Sequence, residues 1–206
     1  FGFLDGSFNR ENMTVKRICG LSVVAATYLF LYVPIIVLLV FSFNTEGFPS
    51  PWKSFTWKWY QELFHSIHLW TAFANSLVIA VFSTLLSLVL GVLLIFYAAQ
   101  GGRIGSLLVL FYGSLVVPET VLAVSLLGFF SFISMPLGLM TLILAHTILG
   151  LGFVIPIAYA RFLELDPRLT EASLVLGATS LQTFFKVTLP MLRPTLFAAA
   201  LLVFII

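Results

Sequence analysis

Glu119 is the single charged residue in an apolar run from residue 104 to residue 160. A charge held at bilayer depth costs at least ~2.5–3.5 kcal/mol, so a carboxylate there has a job. Two kinds of chemistry fit it. In one, Glu119 lines a solute path and meets a passing cation or proton. In the other, Pro118 breaks the helix, Glu119 falls in the first turn of a new helix over 121–134, and the helix dipole with its free N–H groups stabilises the carboxylate. The sequence leaves both open. His146 is the one histidine in the run. The helices on either side of Pro136 run antiparallel, with Glu119 about 17 residues before the turn and His146 about 10 after it, which separates them by roughly 10 Å in depth. No direct pair is therefore expected without a strong helix break, and His146 is expected to bond to a neighbouring helix. His65 and His68 lack a Cys or carboxylate at ligand spacing, so no metal site is expected.

The third chemically distinctive stretch is EASLVLGATSLQTFFKVTLP, residues 171–190. Asp166 can cap a helix whose first turn holds Pro167. That helix, over 167–176, meets Gly177, which can take the left-handed C-cap conformation. Thr179 or Ser180 can cap a second short helix to about Thr188. Pro190 and Pro194 are then expected to break the path before the next span. The product is a helix–glycine–helix elbow held near the membrane by Leu174, Leu176, Phe184 and Phe185. Geometry alone does not separate a docking elbow from a plain connecting loop.

Other chemistries lack their residues. There is no Gly-x-x-x-x-Gly-Lys phosphate loop, catalytic triad or zinc motif, so the chain is not read as an enzyme. No basic–aromatic surface points to nucleic acid. Cys19 is the only cysteine; it is read as an inert, buried thiol and no disulfide framework exists.

The elements that must position these residues follow from composition. Hydrophobic residues make up 61% of the chain and charged ones 9%, against roughly 25% charged in soluble domains. The bilayer is the expected solvent, and the fold class an all-α membrane protein. Uncharged runs put one span within 18–45 and a second within 71–99, with further spans over 104–134 and 137–162 divided at Pro136. The intervening segment 44–70 carries Trp52, Trp57, Trp59, Tyr60 and Trp70, an aromatic belt for the membrane surface. Eight Lys and Arg (Arg10, Lys16, Arg17, Arg103, Arg161, Arg168, Lys186, Arg193) fall on one side in this topology, against Lys53 and Lys58 on the other. This places the N-terminus and segment 161–193 in the cytoplasm, with the first span kept as a signal anchor. Ser83, Ser87 and Gly91 form a small-residue stripe that suits close helix packing, inside the subunit or against a partner.

The ends carry expectations of their own. Met13 opens a basic patch followed by an apolar run, so residues 1–12 read as an upstream extension and 13–206 as one transmembrane domain. The run 194–206 is about 20 Å long as a helix, short of a ~30 Å hydrocarbon layer. The expected architecture is thus four complete spans and the start of a fifth.

Within 171–190 the pattern Glu171-Ala172-Ser173, three residues, Gly177, nine residues, Val187, one residue, Leu189-Pro190 resembles the EAA signature of ABC-importer permeases. The match keeps every spacing, with conservative residues at Ser173 and Val187. LYVPIIVLLVFSFN (31–44), TWKWYQELF (56–64), NSL (75–77) and VVPETVLAVSLL (116–127) resemble the spermidine/putrescine-type subgroup. The resemblance covers 13–206 and implies a type I ABC importer transmembrane domain with a sixth span. It implies that the elbow, 164–190, is a coupling helix docking on a cytoplasmic ATP-binding subunit through Glu171, Ala172, Ser173, Gly177, Val187, Leu189 and Pro190. ATP and Mg would be bound on that partner, and no cofactor in this chain. A second permease subunit and an extracytoplasmic solute-binding protein would complete an inner-membrane importer working by alternating access, with a small solute such as a polyamine. The alternative is an ATP-independent secondary transporter or channel subunit.

Overall fold

The computed structural model describes residues 5–206. Residues 1–4 of the expected extension lie outside the described residues, and the backbone of helix α1 (Asp5–Phe41) runs unbroken through Met13. The chain divides into two units, one up to Leu69 and one from Trp70 onward.

In the first unit, α1 holds the apolar span Cys19–Phe41, none of which is buried within the protein. Cys19 is accordingly exposed, not buried as expected from its apolar neighbours. The segment after α1 is organised by Asn44, which is fully buried. Its side-chain amide donates to the Pro51 carbonyl at 3.0 Å, and its Oδ1 accepts from the Lys53 N–H at 2.9 Å. Its backbone carbonyl accepts from the Trp59 indole at 2.8 Å. Around it Phe43 stacks on Phe55 at 5.3 Å and on Tyr60 at 5.1 Å and meets Trp57 edge-on at 5.0 Å. Helix α2 (Lys58–His65) follows.

The second unit is built on α3 (Ile67–Ala99), α4 (Gly105–Val116), α5 (Glu119–Phe132), α6 (Leu139–Leu163), α7 (Pro167–Val175), α8 (Ser180–Thr183), a π-turn (Phe184–Thr188) and α9 (Leu189–Ile205). Its core has two patches. Ile95, Ala158, Phe184, Leu192 and Leu196 form one, and Val154, Ala199 and Val203 the other. The small-residue stripe is internal. Ser83, Ser87 and Gly91 are buried, Ser87 Oγ donates to the Thr147 carbonyl of α6 at 3.1 Å, and a Cβ on Gly91 would lie 2.5 Å from Val154 Cγ1. Glycine at 91 lets the two backbones approach, the usual role of small residues in membrane helix pairs.

Two sequence expectations are corrected. The stretch 104–134 is not one straight span: α4 and α5 meet at 115°. Proline disfavours helical geometry in the residue before it, and Val117 is extended at φ −72°, ψ 130°. Nor do Pro190 and Pro194 break the path after the elbow. The helical path is continuous from Ser180 to Ile205, 26 residues, or about 39 Å at helical rise. At Pro190 the π-turn makes this possible, while Pro194 is carried inside α9. The Leu189 N–H bonds back five residues to the Phe184 carbonyl, a register slip that puts Pro190 in the first turn of the next α-helical segment, where its missing N–H removes no needed bond. Among the described residues there are four long apolar helices and the bent pair, five crossings if the pair counts as one.

Candidate functional site

The elbow is locked by local hydrogen bonds. Asp166 accepts from the Arg168 N–H at 2.9 Å, capping α7 with Pro167 in its first turn. At the far end Gly177 has φ +86°. The Ala178 N–H bonds to the Ser173 carbonyl at 3.1 Å and the Gly177 N–H to the Leu174 carbonyl at 3.0 Å, the bond pair of a Schellman cap. Thr179 and Gln182 then exchange side-chain and backbone bonds at 3.0 and 3.3 Å, a capping box that starts α8. A hydroxyl–hydroxyl bond of 2.9 Å joins Ser173 to Thr183 across the turn.

The signature residues divide by role. Glu171, Ala172 and Gly177 are exposed, Ser173 is half-buried, and Val187, Leu189 and Pro190 are half-buried at the root of the long helix. Leu189 packs on the core patch beside Phe184. At the tip Val175 and Leu176 are each 87% exposed. Phe184 departs from its expected place at the membrane surface. It is 2% exposed and meets Phe96 edge-on at 5.0 Å, so it roots the elbow in the helix bundle. The Thr183 partner of Ser173 was not singled out from sequence; the Thr179-x-x-Gln182 box was readable, and Thr183 is the residue after it.

Glu119 is the first residue of α5, directly after the bend. No side chain caps that helix end, and among the described residues the carboxylate has no hydrogen bond or ion pair. It lines two cavities. One, of 310 Å3, lies at the bend beside Ser114, Pro118 and Phe153. The other, of 480 Å3, lies between α5 and α6 and is lined by Ala123, Phe130, Thr141 and His146 among others. Glu119 and His146 both line this cavity, but the bend lies before Glu119 and leaves the offset counted along α5 and α6 unchanged; among the described residues the two make no direct pair, as expected. The neighbouring-helix bond expected for His146 is not found among the described residues. Its Nδ1 bonds to the Leu142 carbonyl of its own helix at 2.9 Å.

Residues 88–206 match the family described as binding-protein-dependent transport system inner membrane component. The chain is 34% identical over 183 residues to the spermidine/putrescine transport system permease protein PotC of Haemophilus influenzae, covering 87% of this chain and 70% of the relative. It is 36% identical to PotC of Escherichia coli K12, covering 87% and 69%. It is 30% identical to the putrescine transport system permease protein PotI of the same strain, covering 86% and 66%. Among solved structures, a bacterial ABC transporter involved in the import of the acidic polysaccharide alginate superposes with a TM-score of 0.67 at 18% identity, over 96% of this chain and 74% of that one. This last likeness speaks for the fold.

Proposed function

This chain belongs to the family of inner membrane components of binding-protein-dependent transport systems, and from that premise we propose that it is the ABC-importer permease subunit that passes a polyamine-type cation across the membrane. The solute class follows the names of the PotC and PotI relatives. The observation that supports it is Glu119, a carboxylate without a partner among the described residues, set at a backbone break and lining two cavities. Irregular backbone at membrane depth survives where it is buried in protein or lines a water-filled cavity. A bare carboxylate there suits a cation that brings its own charge.

The elbow 164–190 is the proposed docking element for a separate ATP-binding subunit, with ATP and Mg bound on that partner. Its hard caps make it move as a unit, its exposed tip at Val175 and Leu176 offers apolar surface to a groove, and Phe184 ties it to the spans. The Lys and Arg distribution supports a cytoplasmic elbow and N-terminus. A second permease subunit is proposed against the exposed apolar faces, which include Val116 at 84% and Phe132 at 87%. An extracytoplasmic binding protein delivers the solute.

The test is uptake of spermidine and putrescine by the assembled transporter in proteoliposomes. ATP-dependent uptake is expected, with Glu119→Gln lowering it about tenfold while thermal stability falls only by the ~0.3–1 kcal/mol of a charge–dipole contact. Uptake by Glu119→Gln at the normal rate removes Glu119 from the path and leaves it a helix-end residue. Wild-type protein that imports only neutral or anionic solutes overturns the solute class.

A further inference from the structure

His146 is fixed in one chemical form by its own helix. The Leu142 carbonyl 2.9 Å from Nδ1 can only accept, so Nδ1 carries the hydrogen and Nε2 of the neutral ring keeps its lone pair. Among the described residues Nε2 has no hydrogen-bond partner, and His146 lines the 480 Å3 cavity. The one side-chain hydroxyl in that lining, on Thr141, is occupied: it donates to the Gly138 carbonyl at 2.8 Å and accepts from the Gly138 N–H at 2.9 Å. Apart from Glu119 the remaining lining is hydrocarbon and backbone. The cavity therefore presents one anion and one neutral acceptor, with no side-chain donor left unengaged.

We infer that His146 is a solute-binding residue of this permease, whose Nε2 accepts a hydrogen bond from a protonated amine of the same polyamine that Glu119 neutralises. The inference rests on the cation path proposed above and narrows it. A polyamine carries several N–H-bearing ammonium groups, so one can meet the carboxylate while another meets the imidazole. A quaternary ammonium has none and satisfies the charge alone, so the pair selects for N–H-bearing cations.

Spermidine uptake by the assembled transporter tests this. At about pH 7.5, His146→Leu is expected to raise KM about tenfold, the factor for a lost hydrogen bond to a charged group. His146→Gln, whose amide oxygen can replace the Nε2 acceptor, is expected to keep KM within about threefold of wild type. A His146→Leu protein with wild-type KM overturns the inference, as does a His146→Gln protein whose KM rises as far as that of His146→Leu. If His146→Leu fails to assemble, competition against wild-type spermidine uptake by a fully N-methylated, quaternary analogue decides: failure to compete supports the inference, and competition equal to that of spermidine overturns it. Wild type that imports polyamine while His146→Leu keeps its KM sinks this inference only; wild type that imports no polyamine sinks the solute reading and this with it.

Discussion

Replacing Gly177 isolates what the elbow's geometry contributes. Its φ is +86°, and a Cβ built there meets nothing within 4 Å. Gly177→Ala therefore has no steric cost from neighbours, and the whole penalty is conformational, about 1–2 kcal/mol for an L-residue held in the left-handed region. The alternative open to alanine is to leave that region, which breaks the bonds from Ala178 to Ser173 and from Gly177 to Leu174. At about 1.4 kcal/mol per tenfold, the open form gains roughly five- to thirtyfold in population. Hydrogen exchange at the Ala178 amide reads this directly, and its protection is expected to drop by that factor. Gly177→Asn is expected to fall between, because Asn tolerates the left-handed region, and Gly177→Val to be worst. The coupling ratio, solute imported per ATP hydrolysed, is expected to fall in the same order. Unchanged protection at Ala178 in the alanine variant would refute the strain argument. Normal coupling with protection lost would refute the elbow as the docking element.

Gly91→Ala places a methyl against Val154, which is 0% exposed and cannot yield; about 1–3 kcal/mol of destabilisation is expected in thermal unfolding of the detergent-solubilised protein. Phe184→Ala empties a site that holds Ile95, Leu192 and Leu196 together and is expected to cost about 3 kcal/mol, whereas the exposed Phe185→Ala is expected to change stability little. Asn44→Ala leaves the Lys53 N–H and Pro51 carbonyl without partners. A loss of about 1–3 kcal/mol is expected in the local stability of the 44–60 segment, read as early unfolding in tryptophan fluorescence.

Local devices are legible in the sequence, and devices set by packing are not. Asp166-Pro167, Gly177 and a cap at Thr179 or Ser180 declare themselves because each acts on its own neighbours, and the structure has all of them, with Thr179 as the cap. Pro118 announces a break, but a proline does not state its angle, which is 115° here. Pro190 misleads for a related reason: a proline breaks a helix whose register is fixed, and the π-turn before Pro190 shifts the register by one residue; Pro194 is simply carried inside α9. Phe184 and Phe185 look alike in sequence, and only the presence of Ile95, Ala158 and Leu192 beside one of them separates core from surface. The depth offset between Glu119 and His146 follows from α5 and α6, both after the bend, whereas the cavity that both line is set by packing.

The continuity from Ser180 to Ile205 has a mechanical consequence. A helix does not compress along its axis, so the segment acts as a lever of about 39 Å. Its short arm carries the capped elbow, its fulcrum is the bed of Phe184 and Leu192, and its long arm lays Ala199 and Val203 against α6. A tilt of about 5° over that length displaces one end relative to the other by about 3 Å. That is comparable to the clearance at Gly150, where an added Cβ would already sit 2.7 Å from Val203 Cγ1. A push on the elbow too small to unfold anything is thus large enough, at the other end, to change which side chains of α6 and α9 can interlock.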